Sequence, residues 1–349
     1  MIAKTISASL IFLASLTVAV AERALSLRTA GPSSVNSVGS LKVVVTLTNT
    51  GDETLKILND PNGPLSRLPT DTFIIADKTG STPNFSGVKA KYAPKIAAAG
   101  EAFTTLAPGD SVDVEHDLSR AYDFTASGTG TYKIHPNNLF YLVNEDSSIK
   151  SIYADTQSSY SAKLSGRLAI SRPSVKRATF NGCSASQQTI VNTTTVVAQS
   201  YANSTYAYLK KLTKATPRFK SWFGPFTASS NKTVSTVFSK ISAEKFSTFQ
   251  YDCTCPDPDA DEGTFAFVYP DSFGTIYLCQ AFWDAPLNGT NSKGGTLIHE
   301  ATHFTVNGGT DDLFYGQTDA RSNAITHPDQ TLMNADNYEF FAENHPTEA

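Results

Sequence analysis

Residues 22–177 of this chain contain no cysteine; all four, Cys183, Cys253, Cys255 and Cys279, come later. No thiolate from the earlier region can therefore act as a metal ligand or switch on the later one. Charge excess is also missing. A net charge of −4 over 349 residues offers no basic field for nucleic acid. Beyond the N-terminus there is no apolar run of the ~20 residues that a membrane-spanning helix needs, so no membrane partner is expected. Hydrophobic residues are not scarce: 40% of the chain, with 11% aromatics, supports packed cores and excludes a disordered or fibrous class. The length predicts two domains.

The N-terminus reads as a secretory signal, residues 1–21. Lys4 gives a positive start, Ile6 to Val20 is apolar or small, and Ala19-Val20-Ala21 supplies a cleavage site before Glu22. The expected location is secreted, extracellular. Further on, the dibasic pair Lys176-Arg177 lies in the polar segment SRPSVKRATF and divides the chain. Residues 22–177 hold 17 basic and 15 acidic residues (+2), and 178–349 hold 10 and 17 (−7). A pro-region removed at Lys176-Arg177 would be drawn to the acidic remainder and act as its own inhibitor.

Residues 22–177 read as all-β. LKVVVTLTNTGDETLKIL alternates and carries a Gly-Asp turn between two strand-like runs. TFIIAD, GTYKIH, LFYLV and AKLSGRLAIS follow, which suggests a β-sandwich of roughly seven to nine strands. His116 and His135 stand alone here and read as surface or turn residues. In 178–349, Ile190, Val197, Tyr201, Tyr208 and Leu209 recur at helical spacing between Ser184 and Leu212. A second helix is expected from Val234 to Phe246. FAFVYP and TIYLC, joined by DSFG, read as a hairpin. Helix resumes around residue 299 and again from Asp329 to the end, so this part is α+β.

In a secreted chain four cysteines most simply form two disulfides, with three pairings open; Cys253 and Cys255 are too close to bond each other easily. DPDADEG, starting at Asp257, imitates a calcium loop but has Glu262 where glycine belongs and Val268 where glutamate belongs. It reads as a solvated loop. N-x-S/T sequons at Asn84, Asn192, Asn203, Asn231 and Asn288 allow glycosylation.

The richest segment is HEATHFTVNGGTDD, from His299 to Asp312. On a helix, His299 and His303 share one face and can reach one metal, while Glu300 beside them can hold a water. Chance would place roughly 0.003 such motifs in this chain. Hydrolysis by zinc needs three protein ligands and one open position. The long motif with a third histidine is absent, since Val306 and Gly309 occupy its glycine and histidine positions. A glutamate on a later helix, Glu339, is one alternative. Gly308-Gly309 lets the chain turn back, which makes an aspartate, Asp311 or Asp312, another.

HEATHF followed by GGTDDLFYG resembles the deuterolysin (aspzincin) zinc proteases, and within them the peptidyl-lysine metalloendopeptidases. FNGCS, WFG, YDCTC, GTFAFVYP, FGTIYLC, AFW, YGQ and MNADNYEFFAEN match that family in the same order. The resemblance implies a zincin-like fold for 178–349 after an all-β pro-domain. It also implies one zinc ion held by His299, His303 and Asp312, with Glu300 as general base and Tyr315 as oxyanion donor. Asp336 and Glu339, neighbours on a helix face, would form a pocket for the lysine after the cleaved bond. The implied disulfides are Cys183–Cys253 and Cys255–Cys279. The expected partners are proteins and peptides containing lysine, acted on by a monomer. The rivals are a general deuterolysin-type endopeptidase without lysine specificity, a secreted non-catalytic metal-binding module, which would tolerate loss of Glu300, and a binder whose function lies in 22–177.

Overall fold

The computed structural model describes residues 23–157, 159–170, 179–255 and 263–348. The signal segment, the Lys176-Arg177 pair and Asp257 to Glu262 of the acidic loop lie outside the described residues.

From Leu25 to Arg167 the chain forms fifteen described strands, one short helix (Pro94–Ala99) and two 3-10 turns. The count exceeds the expected seven to nine because several strands are only two to four residues long. Alternation works as anticipated in Lys42–Asn49, which buries Val43, Val45 and Leu47. That strand pairs antiparallel with Leu25–Ala30 and Ser111–Asp117.

The Gly51-Asp52 step does not make a hairpin. Leu55–Leu58 crosses to a different sheet, beside Phe103–Leu106 and Leu139–Val143. Buried Asn49 holds the corner, its Nδ2 donating to the carbonyls of Glu53 (2.7 Å) and Leu106 (2.9 Å) and its Oδ1 accepting from the Gly51 amide (3.0 Å). A third sheet contains Phe73–Asp77, Gly130–Pro136 and Tyr160–Arg167, and side chains from all three sheets meet in one apolar core.

The two histidines are not turn residues. His116 is buried in a strand, edge-on to Phe73 with ring centroids 5.0 Å apart and Nε2 3.1 Å from the Pro64 carbonyl. His135 is half-buried in Gly130–Pro136. His135 stands opposite Ile74 of the neighbouring strand.

The second half contains the helices and one five-stranded sheet, whose spatial order is Phe180–Asn181, Gln250–Asp252, Thr275–Leu278, Thr264–Val268, Lys89–Tyr92. Thr264–Val268 and Thr275–Leu278 form the expected antiparallel hairpin. The outermost strand, Lys89–Tyr92, comes from the first half of the chain. The long helix Ala185–Leu209 starts at a Ser184/Gln187 capping box. Its buried stripe differs from the expected one: Val191, Thr194, Ala198, Ala202, Thr205 and Leu209 face inward while Ile190 is 37% exposed. Small side chains there let the helix Lys293–His303 approach closely; a Cβ on Gly294 would lie 2.5 Å from Val197. The second helix begins earlier than expected, at Ala228, because Thr227 and Ser230 cap it, and it ends at Ala243. The last helical stretch is split into Pro328–Thr331 and Ala335–Glu343. Among the described residues no helix is long and apolar enough to cross a membrane.

The disulfides Cys183–Cys253 and Cys255–Cys279 close loops of sequence separation 70 and 24. Chain-entropy arguments put each bond at about 2–4 kcal/mol, with the longer loop worth about 1 kcal/mol more. Denaturant melts of the Cys183→Ser/Cys253→Ser and Cys255→Ser/Cys279→Ser pairs should show that ranking; equal losses would assign the stabilisation to local packing instead.

Candidate active site

The helix Lys293–His303 is buried along its whole length, with Leu297, Ile298 and Ala301 in the main core. Those positions turn His299, Glu300 and His303 to the opposite face, beneath the hairpin edge. The start of the helix is tied to the C-terminal helix. The Glu343 carboxyl accepts from the Ser292 amide and hydroxyl (both 2.8 Å) and the Asn291 amide (3.2 Å); burial, with Glu339 adding to it, pushes this group up to about 8. A Cβ on Gly295 would collide with this carboxylate. Glu343 is therefore a buried anchor.

After His303 the chain reverses. Gly309 has φ +60°, the Thr310 amide donates to the Thr302 carbonyl (3.2 Å), and the Thr302 and Thr310 hydroxyls are 2.6 Å apart. Buried Asn334 receives the amides of Leu313 (2.9 Å) and Phe314 (3.2 Å) on its Oδ1. These contacts swing Asp312 over the histidines. Its Oδ1 lies 3.0 Å from His299 Nε2 and its Oδ2 3.3 Å from His303 Nε2. Asp311 points away instead: it is half-exposed and pairs with Lys89 at 2.7 Å.

The three groups fit a metal ion. Their donor atoms all lie within 4.8 Å of one another, and both Nε2 atoms are buried without a hydrogen-bond partner. His303 Nδ1 sits 2.8 Å from the Thr310 carbonyl, which fixes the tautomer and leaves Nε2 able to donate to a metal. Two zinc–ligand bonds of ~2.0–2.1 Å at a tetrahedral angle separate their donors by about 3.3 Å, close to the two spacings found.

Charge agrees with the fit. Burial pushes Asp312 up, but His303 and His299 together pull it below the ordinary carboxylate range. Burial holds His303 below its usual value. On His299, burial is outweighed by Asp312, Asp336 and Glu339, which raise it well above. The cluster is arranged around one positive charge.

Asp336 and Glu339 lie across the His299 ring from Asp312, their oxygens 3.0 and 3.2 Å from Nδ1. Asp336 also accepts from the Gly316 amide at 2.6 Å. Neither is on a solvated face: they are 3% and 0% exposed. Glu339 therefore approaches the other ring nitrogen from the one facing Asp312, and the group it forms with His299 and Asp336 does not include His303.

Glu300 is fully buried and neither of its oxygens has a hydrogen-bond partner. Burial pushes its carboxyl up to about 8; Asp312 adds to the rise, while His299 and the nearby Lys91, by its ammonium and its backbone amide, oppose it. Tyr315 caps the helix Gly316–Thr326. Its ring stands edge-on to Tyr92 at 5.6 Å, and its hydroxyl accepts from the Asn62 side chain.

Sequence reading missed several residues that build the site: Thr310, Asn334, Asn291 and, from the first half, Lys91. Asn334 carried a signal, since Asn before a helical run is a common cap. The others act through tertiary contacts that spacing cannot reveal.

The pattern of a family described as lysine-specific metallo-endopeptidase matches residues 208–343. The chain is 49% identical to a peptidyl-Lys metalloendopeptidase of Grifola frondosa, an alignment covering 98% of this chain and 99% of that one. It is also 49% identical to a peptidyl-Lys metalloendopeptidase of Armillaria mellea, over 93% of each chain. A solved structure of a zinc peptidase from Grifola frondosa is 48% identical and covers 48% of this chain and 100% of that one, with TM-score 0.46.

Proposed function

The chain belongs to the aspzincin metalloendopeptidase family, and from that premise we propose that it is a secreted zinc endopeptidase cutting on the amino side of lysine. In this reading residues 22–177 are a β-sandwich pro-region and 178–349 the enzyme. The observation that carries it is the buried His299–His303–Asp312 cluster with unpartnered Glu300 beside it.

His299, His303 and Asp312 would hold the zinc, whose Lewis acidity polarises the scissile carbonyl and acidifies the attacking water. Glu300 takes the proton from that water and returns it to the leaving amine, a transfer that its raised affinity for protons favours. The Tyr315 hydroxyl accepts from Asn62 while the first half is docked, so its own proton is left to donate to the developing oxyanion. Asp336 and Glu339 present two buried carboxylates next to the reacting centre. A compact ammonium with three donors suits them better than the wide fork of arginine. The same two carboxylates orient His299 through Nδ1.

Metal analysis of purified variants tests the ligand set. The wild type and Asp311→Ala should each carry one zinc per chain, whereas Asp312→Ala should lose most of it. Equal loss from both variants, or loss from Asp311→Ala alone, would move the third ligand elsewhere.

A further inference from the structure

Resting on the lysine-specific reading above, we propose that the first half silences the second by lending it a lysine: Lys91 fills the pocket meant for the substrate's lysine, with the Ala90–Lys91 peptide at the catalytic groups. The strand Lys89–Tyr92 lies antiparallel along Thr264–Val268, pairing Ala90 with Phe267 and Lys91 with Ala266. This is how an extended peptide adds to a sheet edge, its backbone supplying affinity and its alternate side chains specificity. The Ala90 amide donates to Asp312 Oδ2 at 3.1 Å, and the Lys91 amide faces Glu300. The peptide between them is thus bracketed by the proposed third ligand and the proposed base.

The Lys91 side chain enters a closed pocket. It is 1% exposed, its ammonium pairs with Glu339, and it stands 3.5 Å from Asn291 Oδ1 and 4.6 Å from the centre of the Phe265 ring. Burial alone would lower its pKa, but Glu339, Asp336 and Glu343 together raise it, so the ammonium enters charged. Strand pairing alone does not require this. An aliphatic residue would fill an edge-strand position without the large cost of desolvating a charge. Lys89, on the same strand face, shows the contrast: it pairs with half-exposed Asp311 and with the carbonyls of Gly309 and Thr310 at the rim.

The test uses the full-length, zinc-loaded Glu300→Gln chain, cut after Arg177 by an added dibasic-specific protease and run on a sizing column at a series of dilutions. The two halves should co-elute. Lys91→Met, which keeps the stem and removes the charge, should weaken the association about thirtyfold or more. Lys91→Arg should weaken it less, and Lys89→Met least. With no substitution in the strand, a short Ala-Lys peptide should displace the first half at concentrations where Ala-Met does not. Association by Lys91→Met as tight as with Lys91, or equal displacement by both peptides, would overturn the proposal. New termini made by the freed wild-type second half are mapped in parallel. If they begin with lysine while Lys91→Met still binds tightly, only this inference fails; if they do not, the specificity reading fails with it.

Discussion

Replacing Glu300 with Gln should lower turnover of a lysine-containing peptide by about 10²–10⁴-fold while one zinc per chain remains. Gln keeps the shape of the side chain and loses only the ability to take a proton. The only backbone group acting on Glu300 is the Lys91 amide, which belongs to the half that leaves, and Glu300 is not among the three groups whose donors converge, so fold and metal content should be untouched. Steady-state rates and metal analysis on the same preparation separate the cases. A variant that retains zinc and still turns over normally would remove Glu300 from the chemistry and revive a non-catalytic metal-binding module. A variant that loses zinc would make the residue a ligand.

The second large effect belongs to the two acids on Ala335–Glu343, and it splits between them. Glu339→Gln should reduce the preference for lysine over methionine after the cleaved bond by about thirtyfold or more, since removing one member of a buried charge pair typically costs ~2–5 kcal/mol. Asp336→Ala should also act on the metal. Asp336 is the carboxylate nearest His299 Nδ1, and removing such an orienting partner typically weakens metal binding by ~10–100-fold. Two measurements resolve this: kcat/KM on paired peptides, and competition for zinc against a chelator. Unchanged selectivity in Glu339→Gln would take that residue out of the pocket. Unchanged zinc affinity in Asp336→Ala would show that His299 needs no such support. Spacing alone makes the two acids neighbours on one helix face, and the family resemblance implies a pocket; the fold places both against His299 as well.

What the sequence revealed followed from local rules. The helical pitch that puts His299 and His303 on one face holds in Lys293–His303. The glycine pair after it marks the reversal, and Gly309 does take a left-handed conformation there. The FAFVYP and TIYLC runs pair as turn-linked strands do. The choice between Asp311 and Asp312 could not be made locally, because adjacent residues differ only in which way the chain then bends. Asn334, some twenty residues later, supplies that bend. The Gly51-Asp52 turn does separate two strands, but whether such a turn closes a hairpin depends on which sheet has room for the second strand, and buried Asn49 directs Leu55–Leu58 to another. Lys91 gave no local signal at all. It sits in KAKY, unremarkable as sequence, and gains meaning only beside Glu339, 248 residues away.

The central claim is chemical: this chain hydrolyses peptide bonds before lysine, using a metal. A denatured protein digested with the form cut after Arg177, with and without a zinc chelator, tests it most directly when the new N-termini are sequenced. The account predicts termini that begin with Lys and that vanish with the chelator and return on adding zinc. Termini scattered among apolar residues, or cleavage indifferent to the chelator, would contradict it.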